Sequence, residues 1–164
     1  MLVLGGGAKS IGLYAAGLAA AHGATTVHYL DADPETAESL GAHPTSQPRS
    51  GYDVVVEATS RPAGLRRAIR SLAPGGVCTA VGYYLSTGTR VPLMRMYATD
   101  ATLRIGVSHS RAVLPDLLDF LDRTGFPAER VTTRTAPWED APTACQARTT
   151  KLVLHRAPLN EATP

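Results

Sequence analysis

Short apolar runs alternate with glycine turns and helical stretches along the first half of the chain. The run Leu2-Val3-Leu4 precedes the turn Gly5-Gly6-Gly7, and small apolar residues at helical spacing follow from Ser10 to His22. Further strands are predicted at 26–30, 53–58 and 76–82, with helices at 34–40 and 62–72. Strands that are apolar on both faces and alternate with helices are typical of a parallel sheet with helices on both sides.

The second half of the chain continues this alternation. Its pattern predicts strands at 102–107 and 151–155, helices at 112–123 and 138–147, and an extended segment at 131–135. A length of 164 residues fits one compact domain. We therefore predict a single three-layer α/β domain, a doubly wound parallel sheet of the Rossmann type, over residues 1–158, with a tail at 159–164.

One connection does not fit a regular fold of this kind. Only the nine residues 43–51 lie between Ala42, just after the second helix, and Tyr52, just before the strand at 53–58. A crossover between parallel strands normally needs about a dozen residues. We expect this connection to lack its helix or to be irregular.

Composition and charge exclude several classes of protein. The net charge is only +2 and the arginines are scattered, so no nucleic-acid surface is predicted. No apolar run approaches the roughly 20 residues of a membrane span, and no leader sequence is visible, so a cytoplasmic location is expected. Cys78 and Cys145 stand far apart without metal-type spacing, which argues against a disulfide framework and a metal site.

The glycine turn suggests a binding site for a diphosphate. A glycine turn between a first strand and a first helix brings backbone N–H groups to an anion at the positive end of the helix dipole. Ser10 and Ile11, at the helix start, are the predicted donors. The spacing is G-x-G-x-x-x-x-G, two residues longer than the dinucleotide fingerprint, because four residues separate Gly7 from Gly12. Glycines that serve only a tight turn are therefore the alternative interpretation.

Asp31 strengthens the nucleotide hypothesis. It ends the second predicted strand 19 residues after Gly12, where a carboxylate accepts hydrogen bonds from adenosine ribose hydroxyls. The same carboxylate would repel a 2'-phosphate, and no Arg or Lys follows within ten residues, so NAD is favoured over NADP; Lys9 is the possible exception. A helix cap at Asp31 is one alternative. A second alternative is that the bound ligand is S-adenosylmethionine. Methyltransferases, however, usually carry an acid at the end of the first strand too, and this chain has Val3-Leu4 there.

Several sequence blocks occur together in the order and spacing of a known family. They are Leu2 to Gly7, Ser10 to Leu13, Leu30 to Glu35, Leu40 to Ala42, Tyr52 to Thr59, Leu72 to Val77, Val81-Gly82, Leu103 to Val107, Leu117 to Leu121, Ala141 to Ala144 and Lys151 to Leu154. In these blocks the chain resembles the cofactor domain and C-terminal segment of the medium-chain dehydrogenase/reductase family, the zinc alcohol dehydrogenases and quinone reductases. The resemblance covers nearly the whole chain and implies a nicotinamide-dependent oxidoreductase acting on a small molecule.

The resemblance also implies a set of cofactor-binding residues. The diphosphate would contact the glycine-turn region, and the adenosine ribose would contact Asp31. The nicotinamide would contact the ends of two strands, and its carboxamide would contact the residues after a third strand. These residues are Gly5, Gly7, Ser10, Ile11 and Gly12, then Asp31, then Ala58, Thr59, Val81, Gly82 and Tyr83, then Gly106 and Val107. Lys151 would place a cation near the diphosphate. A solvated lysine at a strand start is the alternative for Lys151.

The resemblance leaves the catalytic residues unknown. Family members carry a catalytic domain before the first strand, with the zinc ligands and most of the substrate pocket, so no zinc is expected on this chain. Ser60 is a polar group that could face the nicotinamide. The candidate proton donors are Tyr83, Tyr84, Ser108 and His109, although the two tyrosines could simply cover apolar surface. A partner chain could supply the catalytic domain, or a new pocket could form at the open end of the sheet.

Two further expectations concern function and assembly. The alternative to an oxidoreductase is a non-redox protein that binds NAD(P) or another ligand in the same cleft, as an isomerase, a cyclase or a truncated scaffold module. In the resembled family the strand matching Leu103 to Val107 lies at a sheet edge and pairs with its copy. Because only Arg104 discourages pairing here, we expect a homodimer through that edge.

Overall fold

Six parallel strands form the main sheet of the protein. The computed structural model describes residues 1–85 and 88–158. The strands are β1 (Leu2–Leu4), β2 (His28–Leu30), β3 (His43–Pro44), β4 (Tyr52–Glu57), β5 (Leu72–Ala80) and β6 (Thr102–Ile105). Their spatial order is β3-β2-β1-β4-β5-β6, all parallel. The order reverses between β1 and β4, where doubly wound sheets bind ligands, and the predicted α/β fold is confirmed.

Five helices connect these strands or follow them. They are α1 (Lys9–Ala21), α2 (Pro34–Ser39), α3 (Pro62–Arg70), α4 (Leu93–Thr99) and α5 (Ser110–Thr124). α2 begins as its sequence indicates, because the Asp33 side chain accepts a hydrogen bond from the Thr36 amide at 3.3 Å and Pro34 occupies the first turn. It ends before Gly41, whose φ of +84° suits a glycine.

The core that supports the site lies between α3 and the sheet. Leu2 and Leu4 of β1 pack in one buried cluster with Leu65 and Ile69 of α3 and with Val55 of β4. Burying a side chain of this size contributes roughly 1.5 to 3 kcal/mol. This packing fixes the level at which β1 and β4 end, since Leu4 pairs with Glu57 in register.

The short connection between β3 and β4 contains no helix, as expected. Residues 45–51 run directly from β3 to Tyr52. The Tyr52 hydroxyl lies 2.8 Å from His28 Nδ1, and the two rings meet edge to face. Burial, followed by the nearby His43, the N-terminal amine and Arg49, lowers the pKa of His28.

The described residues 128–158 belong to a second compact unit, and Met1–Pro127 form the first. Its described part has 3₁₀ turns at Ala128–Val131 and Trp138–Asp140, a short helix α6 (Ala141–Ala144), and strands β7 (Arg134–Pro137) and β8 (Leu152–His155). The two strands pair in parallel, with Arg134 opposite Leu152. The predicted helix at 138–147 is much shorter than its pattern indicates. The predicted tail at 159–164 lies outside the described residues.

None of the helices among the described residues has the length and apolar character that crossing a membrane requires.

Candidate functional site

The glycine turn after β1 lies directly against the loop after β4, which we call the β4–α3 loop (residues 58–61). The Gly7 amide donates to the Thr59 carbonyl at 3.2 Å, and the Ala8 amide donates to the Ala58 carbonyl at 2.9 Å. A Cβ on Gly7 would lie 2.8 Å from the Thr59 oxygen and 3.0 Å from Ser60 Oγ. The turn therefore needs glycine at this position, and the Gly7 amide is already engaged within the chain.

The start of α1 offers free backbone donors. Its capping residue, Ala8, has no side chain that could bond the first amides, and the first turn contains no acidic residue. The first intrahelical bond runs from the Gly12 amide to the Ala8 carbonyl at 3.0 Å. The amides of Lys9, Ser10 and Ile11 precede it, so they carry the partial positive charge of the helix terminus. An anion at this end of the helix would meet three N–H groups.

The carboxylate of Asp31 is held against the end of β1. Its Oδ1 accepts from the Ala32 amide at 2.7 Å, and its Oδ2 accepts from the Tyr29 hydroxyl at 3.2 Å. Burial, and then the Asp31 charge and hydrogen bond, raises the pKa of Tyr29 above its ordinary value. A Cβ on Gly5 would lie 2.7 Å from Asp31 Oδ2, so Gly5 leaves the space that this carboxylate occupies.

Asp31 lines a cavity of about 490 Å³. The other lining residues are Leu30, Pro34, Pro44, Thr45, Ser46 and Arg67. Arg67 comes from α3, on the other side of the switch point, so a basic residue lines the same cavity as Asp31. Sequence reasoning missed Arg67 because it searched only the residues after Asp31. No signal along the sequence places Arg67 there, because α3 is far in the chain from the other residues that line the cavity.

A second cavity, of about 530 Å³, carries several more arginines. It is lined by Pro48, Arg49, Ser50, Ala63, Arg66, Arg67, Arg70 and Ser71. Arg67 and Arg70 belong to the last turn of α3. Cations there complement the negative end of the helix dipole, so the helix itself accounts for part of this charge.

A buried carboxylate stands at the end of β4. Glu57 is 0% exposed, and its Oε1 accepts from the Thr59 amide at 2.8 Å and from the Thr59 hydroxyl. Its Oε2 accepts from the Tyr84 hydroxyl. Burial, and then the contact with Glu57, raises the pKa of Tyr84 above its ordinary value. Sequence reasoning treated Glu57 as an ordinary strand end, although a single acid at the end of the apolar run Val54-Val55-Val56 was a signal for a buried, hydrogen-bonded group.

The residues expected near the nicotinamide follow β4, β5 and β6 at one edge of the sheet. The Val81 amide donates to the Glu57 carbonyl at 2.9 Å. A Cβ on Gly82 would lie 2.6 Å from Ser60 Oγ, so the loop after β5 touches the β4–α3 loop. Gly106 and Val107 follow β6 and are exposed. β6 ends at Ile105, which leaves these two residues in the loop instead of the predicted strand.

The candidate proton donors differ in their exposure and in whether their polar groups are already hydrogen-bonded. Tyr83 is 85% exposed, whereas the Tyr84 hydroxyl is engaged with Glu57. Ser108 and His109 are exposed in the loop before α5, and Ser108 Oγ accepts from the Ser110 hydroxyl at 3.2 Å. The structure thus places Tyr83 and Tyr84 after β5, and Ser108 and His109 after the neighbouring strand β6. Lys151 lies in the second unit, and its expected place near the diphosphate remains a prediction.

The cysteines and acids do not assemble a metal centre in the part of the chain that the structure describes. Over residues 1–85 and 88–158, no group of three or more His, Cys, Asp or Glu side chains could hold a metal ion. Cys78 is buried in β5, and burial, followed by the charge of Glu57, raises the pKa of its thiol to about 12. The thiol is therefore protonated at neutral pH and a poor metal ligand.

Proteins of known structure share this fold. A family model described as zinc-binding dehydrogenase matches residues 10–123. Among solved structures, an alcohol dehydrogenase (TADH) from Thermus sp. ATN1 is 29% identical with a TM-score of 0.81, and the match covers 94% of this chain and 52% of that one. A comparison with curated proteins gave no significant match.

Two further structures were solved with a cofactor. A short chain alcohol dehydrogenase (rspB) from E. coli CFT073, in complex with NADH, is 18% identical with a TM-score of 0.79 over 93% of this chain and 51% of that one. The Haloferax mediterranei glucose dehydrogenase, in complex with NADP, Zn and gluconolactone, is 21% identical with a TM-score of 0.70 over 96% and 51%. The chain spans about half the length of the structures it matches.

Proposed function

The chain belongs to the zinc-binding dehydrogenase family, and from this premise we propose that it binds a nicotinamide dinucleotide across the carboxyl edge of its sheet. The observation that carries the proposal is the pairing of two features around the switch point. Free helix amides at Lys9, Ser10 and Ile11 follow β1, and the Asp31 carboxylate follows the adjacent strand β2. The two features suit a diphosphate and a ribose diol, respectively.

The proposed cofactor extends from Asp31 to the loops after β4 and β5. The diphosphate lies at the amides of Ser10 and Ile11, and the adenosine ribose hydroxyls donate to Asp31. The nicotinamide lies beside Thr59 and the segment 81–83. NAD(H) is proposed as the preferred cofactor because Asp31 accepts from a 2'-hydroxyl and repels a 2'-phosphate.

The proposed role is hydride transfer in an oxidoreductase of the alcohol dehydrogenase type. When bound, the dinucleotide supplies or accepts the hydride. The chain's own residues bind and orient it, and Tyr83, Ser108 and His109 are the candidates to move a proton on a small-molecule substrate. Tyr84 is less suited, because its hydroxyl is bonded to the buried Glu57.

Zinc, where it takes part, would need ligands from outside the described residues, since these offer no ligand set. We propose that those ligands and most of the substrate pocket belong to another part of the enzyme or to a partner chain. The alternative is a protein that binds NAD(P), or another ligand in this cleft, without redox turnover. Turnover in an assay of NADH oxidation with aldehydes, ketones and enones would support the first function, and the assay needs the enzyme together with the part that supplies the pocket.

Calorimetry with NADH and NADPH tests the proposal. We expect NADH to bind more tightly, and Asp31→Ala to weaken NADH by about 1 to 3 kcal/mol, the range for a hydrogen bond to a charged group. Asp53→Ala removes an exposed acid of β4 and serves as the control. Equal or tighter binding of NADPH would contradict the role given to Asp31. A loss below about 0.3 kcal/mol, within the usual scatter of surface substitutions, would leave Asp31 with no role in binding.

A further inference from the structure

We propose that Glu57 is a positioning residue, which holds the two loops at the nicotinamide end of the cleft in one geometry by accepting hydrogen bonds from Thr59 and Tyr84. The two loops are the β4–α3 loop (residues 58–61) and the segment after β5, which we call the β5 loop (residues 81–85). The inference rests on the proposed function, since the nicotinamide is placed between these loops.

The burial of Glu57 makes its hydrogen bonds important. A fully buried carboxylate is costly unless donors replace the water that it loses. Three donors do so here: the amide and hydroxyl of Thr59 and the hydroxyl of Tyr84. Removing one of them leaves part of a buried charge unsatisfied, so the loops are held to the places where the donors stand.

The two loops are also in direct contact, which lets one carboxylate fix both. Gly82 approaches Ser60 so closely that a Cβ would lie 2.8 Å from the Ser60 amide nitrogen. Ser60 has a φ of +58°, a conformation that non-glycine residues rarely adopt and that persists only where the surroundings impose it. The Arg61 amide donates to Thr59 Oγ1 at 3.1 Å, so the same threonine also ties the loop to the start of α3.

Gly64 provides the space for this arrangement. A Cβ on Gly64 would overlap Thr59 Oγ1 and would lie 2.8 Å from Glu57 Oε1. α3 can therefore approach the carboxylate only because its third residue has no side chain. The carboxylate, the two loops and the first turn of α3 form one packed unit beside the proposed nicotinamide position.

The test compares ligands that occupy different parts of the cleft. NADH reaches the nicotinamide end, whereas ADP occupies only the adenosine and diphosphate end. We would measure both affinities by calorimetry for wild type, Glu57→Gln, Tyr84→Phe and the double variant. Tyr97→Phe, which alters an exposed tyrosine of α4, is the matched control. NADH fluorescence emission reports the nicotinamide environment in each complex.

We expect Tyr84→Phe to weaken NADH about fivefold or more and ADP less than about twofold, since a tenfold change corresponds to about 1.4 kcal/mol and one charge-assisted bond is lost. Glu57→Gln keeps an oxygen for Thr59 but loses the charge, and we expect the same ligand difference. The double variant should bind NADH no more weakly than whichever single variant binds it less tightly, because both substitutions remove the same contact between Tyr84 and Glu57. NADH emission should shift in these variants and not in Tyr97→Phe.

Three results would overturn the proposal: NADH affinities within twofold of wild type, a parallel loss of ADP affinity, or single effects that multiply in the double variant. Amide hydrogen exchange of Tyr84→Phe needs no bound nucleotide, and it remains informative even if Glu57→Gln does not fold. Tyr84→Phe should speed exchange in residues 81–85 and leave α1 unchanged, and unchanged exchange in 81–85 would also overturn it. Failure of wild type to bind NADH would instead contradict the proposed function, and exchange would then decide the role of Glu57.

Discussion

Asp31 and Arg67 line the same cavity, and we propose that their opposite charges set how strictly a 2'-phosphate is excluded. We predict that Arg67→Ala weakens NADPH about tenfold and NADH less than twofold, because only NADPH carries a 2'-phosphate on the adenosine ribose. The expected loss for NADPH is about 1.4 kcal/mol, close to the lower range for a hydrogen bond between charged groups. Calorimetry with both nucleotides measures it.

Arg66→Ala is the matched control for this change, since Arg66 lines only the second cavity. An equal loss of NADH and NADPH in Arg67→Ala would show that Arg67 acts on the cavity as a whole and not on a ribose phosphate.

At the scale of single residues, sequence reasoning predicted groups whose role depends on position along the chain. Asp31 follows a strand and the glycine turn precedes a helix, so both could be placed from local pattern. The local pattern marks Glu57 as a buried acid but does not reveal its partner Tyr84, which comes from the β5 loop. It also does not place Arg67 on the cavity beside Asp31, because the two residues are far apart in the chain. The local pattern also could not predict that the Gly7 amide is already hydrogen-bonded, because its acceptor belongs to the β4–α3 loop.

The helix α1 contains two buried glycines with different surroundings, which gives an element-scale prediction. A Cβ on Gly17 would lie 3.0 Å from the Phe126 ring and 3.1 Å from Leu40, whereas a Cβ on Gly12 would meet nothing closer than 3.5 Å. Gly17→Ala should therefore lose about 1 kcal/mol of unfolding free energy, because overpacking of about 1 to 3 kcal/mol exceeds the helix-propensity gain of about 1 kcal/mol.

Gly12→Ala has room and should keep only the propensity gain, so it is the matched comparison in urea unfolding. A Gly17→Ala protein as stable as Gly12→Ala would mean that Phe126 and Leu40 give way without cost.

The order and type of the elements of the main sheet follow from the sequence pattern, but several boundaries do not. β5 begins at Leu72, earlier than the pattern indicates, because its first residue pairs with Tyr52 before an irregularity in the register. The segment after β6 leaves the sheet at Ile105, although Val107 is apolar. Such ends are decided by pairing with neighbouring strands, which a local apolar pattern does not contain.

At the scale of the whole molecule, β6 is an edge strand of the main sheet, next to β5 alone among the described strands. It ends in Ile105, which is 64% exposed, and Val107 follows at 80%. An exposed apolar edge strand is a template for pairing with another strand. We therefore propose a two-fold dimer through β6, and sedimentation at tens of micromolar should show it.

Ile105→Lys should convert that dimer to monomer, because a charged edge opposes pairing. Ala24→Lys adds the same charge on an exposed turn after α1 and should not. A wild-type monomer at this concentration, or an Ile105→Lys protein that remains dimeric, would exclude pairing through β6.

Thr59 belongs to both halves of the cleft. Its carbonyl accepts from Gly7 in the glycine turn, and its amide and hydroxyl donate to Glu57 beside the β5 loop. A ligand that displaces Thr59 at one end therefore changes the other end as well. By thermodynamic linkage, such coupling is reciprocal: occupation of the phosphate end would alter affinity at the nicotinamide end by the same factor as the reverse.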